Sequence, residues 1–250
     1  MKSLLFFILF FFSSLFATTQ DINAMIREAD RLESVPDEKG AFAAFQEVLK
    51  IRPTEVYTLS KCSELCNRIG KRQTDKKARE NYYEAARIYA TTAIRVDSLN
   101  SDANCAMAMA LGHTTLSRNG KEKIVTAREI RKYVDRALKS NPNNFKAWHV
   151  LGRWHYEISN LNIFERAAVN LLYGGLPPSS IKDAIHAFER AQSITSGFVL
   201  NYFELARAYH RNDEDAKAVN ALKIMLTMPN QTEDDSLLKA DGKKMITRWR

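Results

Sequence analysis

Asn141-Pro-Asn-Asn-Phe-Lys-Ala-Trp148-His-Val-Leu151-Gly152-Arg-Trp154-His-Tyr156 carries the clearest copy of the unit from which this chain is built. It opens as a turn and runs on as a helix. A large aromatic stands at the fourth helical position (Trp148), with Leu151 and Gly152 at the seventh and eighth. The glycine lets a second helix approach closely, while Trp148 and Leu151 fill the groove between the two. This is a packing pattern, and it contains no catalytic group. The stretch continues into an apolar segment that ends Leu171-Leu172-Tyr173-Gly174-Gly175.

Working outward, more degraded copies of the same unit appear on both sides. Ala41, Phe45, Val48 and Pro53 fall on positions 20, 24, 27 and 32 of a 34-residue tetratricopeptide frame. Tyr57 is a fourth-position aromatic whose helix runs to about Ile69. Thr74-Asp75 opens a long helix to Val96 with Ala86, Ala90 and Ala93 closely packed. The helix from Ala103 to Gly112 replaces the aromatic by small residues, Arg118-Asn119-Gly120 breaks it, and Lys123 to Ser140 follows with Ile130, Val134 and Ala137 inward. After the Trp148 helix, Asn162 to Tyr173 reads as an inserted amphipathic helix that fills a gap between displaced repeats. Pro177-Pro178 makes a rigid turn, and Ser179-Ser180 caps the next helix. Ala184, Phe188 and Ala191 resume the frame, as do Tyr202, Leu205, Ala206 and Tyr209, then Ala218, Leu222 and Met225. Thr232 to Arg250 reads as a polar C-terminal capping helix, which an open solenoid needs. The fourth positions Tyr57, Cys105, Trp148 and Tyr202 stand 48, 43 and 54 residues apart, so the array is irregular. The expected fold is all-α, an irregular tetratricopeptide-like solenoid of helical hairpins over residues 18–250.

Few glycines (9) and prolines (6) in 250 residues agree with helices throughout. The amino terminus stands apart. Lys2, the apolar run Leu4 to Phe12 and the small-residue site at Ser13 to Ala17 read as a cleaved export signal over residues 1–17. The run is shorter than the ~20 residues a spanning helix needs. An exported compartment follows, the periplasm in a bacterium or otherwise the secretory pathway; a retained membrane anchor is the alternative.

Chemistry is sparse. The histidines His113, His149, His155, His186 and His210 form no zinc motif, Gly120-Lys121 lacks a phosphate-loop glycine upstream, and no Gly-x-Ser-x-Gly elbow occurs. Cys62, Cys66 and Cys105 read as small buried residues, with no metal and no cofactor implied. The chain therefore reads as non-catalytic. The formal charge is +8, but the basic residues are interleaved with acids and read first as solvated helix faces. No nucleic-acid motif accompanies them, and the expected partner is a protein or peptide for which an acidic character would suit the charge. By periodicity, Asn104, His149, Arg153, Tyr156, Asn201 and Arg207 are expected to line a concave partner-binding groove, with Trp148 and Trp154 in the core.

The segment from Trp148 to Met228 resembles the C-terminal half of the regulator of microtubule dynamics family, tetratricopeptide-like proteins of animals with relatives in bacteria. Carrying the resemblance are Gly152-Arg-Trp154, the inserted helix with Arg166, Ala168 and Leu171-Leu172, and Pro177-Pro178-Ser179-Ser180. Ala184, the run Ala187-Phe188-Glu-Arg190-Ala191, and Leu205-Ala206-Arg207-Ala208-Tyr209 continue it. Similarity of the same kind reaches back to Tyr83. Asn162-Ile163 departs from the family's bulkier aromatics, and two extra residues precede Pro177. The resemblance implies a helical-repeat adaptor, associated in animal members with microtubules, mitochondria or spindle poles. Tubulin is a partner, and a membrane a neighbour, only if the N-terminal segment is retained and the repeats face the cytosol.

Overall fold

The computed structural model describes residues 22–114 and 120–249. The expected export signal at 1–17 and the helix break at 118–119 lie outside the described residues. Twelve helices account for nearly all of the rest, and the described residues contain no strand. They are α1 (22–34), α2 (Glu38–Ile51), α3 (Val56–Lys71), α4 (Lys76–Val96), α5 (Ser101–Thr114) and α6 (Gly120–Ser140). Then come α7 (Phe145–Ile158), α8 (Ile163–Tyr173), α9 (Ile181–Ile194), α10 (Val199–Arg211), α11 (Asp215–Thr227) and α12 (Asp235–Arg248).

Side chains at the helix starts explain where the helices begin. Asp37 accepts from the Gly40 amide at 2.9 Å, Asp75 from Ala78 at 2.6 Å and Asn144 from Ala147 at 3.0 Å. Asn162 and Ser180 form reciprocal capping boxes with Glu165 and Asp183. Gly174 ends α8 in the left-handed region at φ 71°, a conformation that costs a side-chain-bearing residue more.

Hairpins α3/α4, α5/α6, α7/α9 and α10/α11 stack in sequence, so α8 is an insertion within the third of these. Helices α3, α5, α7 and α10 form the inner layer, each touching the next. At the N-terminal end, Ile26, Ala29 and Leu32 of α1 pack with Ala41, Phe45, Cys62, Leu65 and Ile69. The largest core lies at the other end, where Phe188, Tyr202, Leu205, Leu222, Met225 and Ile246 join α9 to α12. Helix α12 closes that end, with the Trp249 ring stacked on His210 at 4.0 Å.

Two features were not foreseen. The loop before α12 reaches back to the first repeats: Arg72 pairs with Glu38 and lies 3.2 Å from both Glu233 and Asp234, while Lys71 is 3.1 Å from Asp234. The Glu38 amide also donates to Glu233 at 3.1 Å, across 195 residues of chain. The solenoid therefore closes on itself. In contrast to the gap-filling expected of it, α8 buries little. Its only buried residue is Val169, and Ile163, Phe164, Leu171 and Leu172 are 82%, 85%, 85% and 65% exposed. The periodicity of this segment gave an apolar face, but nothing in it said whether a neighbour would cover that face.

A Cβ built at Gly152 would lie 2.6 Å from the fully buried Phe188 ring, so the glycine sets the α7–α9 distance. Gly152→Val should destabilise the fold by about 2 kcal/mol or more through overpacking, read as a lower urea midpoint. An unchanged midpoint would show that the ring can move aside.

Candidate functional site

The inner layer carries most of the polar side chains that periodicity singled out. Along one stripe of α7 stand Lys146, His149 and Arg153, three and four residues apart and therefore on one face. Each is tied to another inner helix. Lys146 donates to Glu64 of α3, reaching past α5. His149 Nδ1 lies 3.0 Å from Asn201 Oδ1 on α10, and Asn201 Nδ2 donates to the Phe188 carbonyl at 2.9 Å. Arg153 Nη1 donates to Glu204 at 2.6 Å, and Glu204 accepts from Arg207 at 2.9 Å through its other oxygen.

Next to Glu204 the site turns cationic. The Arg207 and Arg211 guanidinium groups lie 5.1 and 4.9 Å from the Tyr156 ring centre, within cation–π range. Arg211 also donates to the Tyr156 carbonyl at 2.8 Å and has no carboxylate partner among the described residues. Arg153 has a second carboxylate neighbour, Glu157, at 3.6 Å. Three arginines thus stand beside two carboxylates at the C-terminal end of α7 and α10, with Arg211 paired to neither. Arg153 and Arg207 remain part-exposed, with side chains 42% and 34% accessible.

Of the six residues expected to line a groove, the structure brings five together, and most of them face inward. His149 and Asn201 are buried against each other, and Tyr156 is buried beneath its two arginines. Asn104 stands apart on α5, fully buried, with Nδ2 donating to the Ser98 and Asn100 carbonyls at 2.9 and 2.8 Å. It secures the turn before its own helix. Asn104, His149 and Asn201 therefore serve the interior and offer no surface to a partner, because neighbouring segments cover them and take up their hydrogen bonds. Arg211, Glu204, Glu64 and Lys146 were missed. The Glu204–Arg207 spacing of three on one helix was a signal that could have found that pair.

The same bonds define the chemistry available. His155 Nδ1 lies 3.1 Å from Ser179 Oγ, but that hydroxyl donates to the His155 carbonyl at 3.0 Å, so its proton is already committed. The imidazole consequently donates to the serine, the reverse of what nucleophile activation needs. Burial pushes the Cys66 thiol up to about 12 and the Cys62 and Cys105 thiols well above their ordinary value, which leaves all three as inert thiols. Among the described residues, no group of three or more His, Cys, Asp or Glu is placed to hold a metal ion. No helix there is long and apolar enough to cross a membrane.

Residues 25–250 match the family model described as Regulator of microtubule dynamics protein 1-3. The chain belongs to this family. Regulator of microtubule dynamics protein 3 of Xenopus laevis is 25% identical over 162 residues, which is 64% of this chain and 35% of that one. The protein 1 relative of Caenorhabditis elegans is 27% identical over 128 residues, 51% of this chain and 57% of the relative. The Bos taurus protein 3 relative is 23% identical over 230 residues, 89% of this chain and 48% of its own. This family member thus spans between about a third and a little over half of the length of these relatives. Among solved structures, a thermophilic TPR protein of Thermus thermophilus superposes with a TM-score of 0.63 at 12% identity, covering 89% of this chain and 99% of that one. That likeness shows the fold, a tetratricopeptide-like solenoid.

Burial pushes the His149 imidazole down to about 4, with the Asn201 bond and the Glu204 charge opposing. The unfolded chain takes up this proton below about 6.5 and the folded chain only near 4, so the stability His149 confers is present above pH 6.5 and is lost as pH falls towards 4. Burial pushes His113 down in the same way, also to about 4. Glu33 is opposed by burial, but the Arg68 and Lys61 charges hold it down to about 2, so its contribution is lost only below about 4.5. Urea midpoints should therefore fall between pH 7 and 4.5, and His149→Gln should make that fall shallower, with His113 and His155, which burial also pushes down, supplying the rest. An equally steep pH dependence in the variant would rule out His149 as a source.

Proposed function

We propose that this protein is a non-catalytic scaffold that captures an acidic segment of a protein partner at the arginine cluster of α7 and α10. The observation that carries the reading is Arg211. It is a cation held beside the Tyr156 ring with no carboxylate partner among the described residues, next to the part-exposed Arg207 and Arg153. An incoming carboxylate could bridge Arg207 and Arg211 with charge-assisted hydrogen bonds. The formal charge of +8 favours the approach of such a segment. The tetratricopeptide-like fold and the family membership support a scaffold. The contact lies at the mouth of the inner layer, since Lys146, His149 and Asn201 are used to hold that layer together.

Export from the cytosol is part of the proposal, supported by Lys2, the apolar run Leu4 to Phe12 and the small residues before Thr18. In a second reading the N-terminal segment is kept as an anchor and the repeats face the cytosol as a regulator of microtubule dynamics; the family's name fits it no better than the first. Mass spectrometry of the mature N-terminus in separated cell fractions distinguishes the two. A chain starting near Thr18 in the exported fraction supports the first; an intact Met1 in membranes supports the second.

Binding is tested with a fluorescent Asp/Glu-rich peptide. Arg207→Ala with Arg211→Ala should weaken it at least tenfold, consistent with the loss of about 1.4 kcal/mol or more, while helicity by circular dichroism stays the same. Raising salt from about 0.1 to 0.5 M should weaken wild-type binding strongly. Equal binding by wild type and variant would remove the cluster from consideration.

A further inference from the structure

Helix α8 has an unusual combination of features. Six apolar residues form two adjacent rows along one face: Ile163, Ala167 and Leu171, with Phe164, Ala168 and Leu172 beside them. All six are exposed. The opposite face carries the residues that attach the helix. Arg166 donates to the Leu161, Ile158 and Ser159 carbonyls, Val169 is buried, and Arg128 of α6 donates to the Tyr173 and Gly175 carbonyls. The helix is thus fixed by its polar back and its C-terminal cap, with its apolar front turned to solvent.

We infer that this front is the contact between two copies of the chain, packed as an antiparallel α8–α8 pair about a two-fold axis. The large-small-large order of both rows is its own reverse, centred between Ala167 and Ala168. A two-fold at that centre sets Phe164 against Leu171 of a second copy, with Ile163 and Leu172 along the two edges of the contact and alanines at the crossing point where the backbones come closest. A surface repeated in reverse on itself is what an isologous contact requires. Lipid suits it less well. A helix that lies on a membrane carries cations along its polar face, and the one cation of α8, Arg166, is turned back onto the end of α7. Burying the six side chains would remove on the order of 500 Å² per copy, or about 1,000 Å² for the pair, the size at which a specific interface begins. No charged residue stands in either row.

Cysteine cross-linking of the full chain in the cells that make it tests this inference. The native cysteines Cys62, Cys66 and Cys105 are buried and give a clean background. Ala168→Cys should yield a covalent dimer on mild oxidation, because position 168 meets its own copy at the axis. Phe164→Cys alone should not, whereas Phe164→Cys with Leu171→Cys in one chain should. Leu171→Glu placed on the Ala168→Cys background should cut the dimer at least tenfold at equal protein level. No dimer with Ala168→Cys, or equal dimer with Phe164→Cys alone, would overturn the inference. So would a monomeric chain whose Ala168→Cys thiol is shielded from maleimide only on anionic vesicles, which would give the face to lipid. Shielding lost in a monomer on deleting residues 1–21 would give it to the N-terminal segment and overturn the inference equally.

Discussion

Helix α5 is thin, and the close packing of four other helices follows from that. Ala103, Cys105, Ala106, Ala108 and Ala110 are all buried, and their small side chains let four neighbouring helices draw in around one axis. Interaxial distance follows the side chains at the contact, so a run of alanine and cysteine shortens it where an aromatic would lengthen it. Inner helices that lie close together while the outer ones stay full-sized make a stack curve more strongly. Over α5, Lys146 of α7 can reach Glu64 of α3, a contact that a bulkier helix between them would block. The loop at Glu233 and Asp234 meets Arg72, at the end of α3, which packs directly on α5.

That curvature decides which polar groups belong to the interior. Along α7, three side chains at helical spacing look alike in sequence, and each joins a different bond: Lys146 to a carboxylate, His149 to an amide, Arg153 to a shared carboxylate. Burying charge is tolerable only when it is paired and hydrogen-bonded. The inner layer meets that condition through pairs between helices, which also set the register of one hairpin against the next. What remains for a partner is the end of the layer, where arginines outnumber carboxylates.

Much of the fold was legible in the sequence because helix packing leaves local marks. Gly152 announced a close approach and found Phe188; Asn162 and Ser180 announced helix starts; Gly174 announced an end. The site was less legible. Periodicity tells which side of a helix a residue occupies, and His149, Arg153, Asn201 and Arg207 do stand between α7 and α10. It says nothing about how tightly the stack curves, which turned His149 and Asn201 from groove lining into buried partners. Contacts such as Glu38 with Glu233 depend on that global curvature and leave no short-range trace. The apolar rows of α8 were visible too, but amphipathicity predicts that a face will be covered without naming the cover.

The bridge from Arg72 to the last loop changes what kind of repeat protein this is. In an open solenoid each unit touches only its neighbours, so melting can begin at either terminus and run inward unit by unit. Joining the first repeats to the loop before α12 turns that line into a cycle with no free end from which to fray. The terminal units then share one opening step instead of two independent ones, and the whole chain is drawn towards a single cooperative transition. A handful of ion pairs at one seam thereby governs how the entire molecule comes apart.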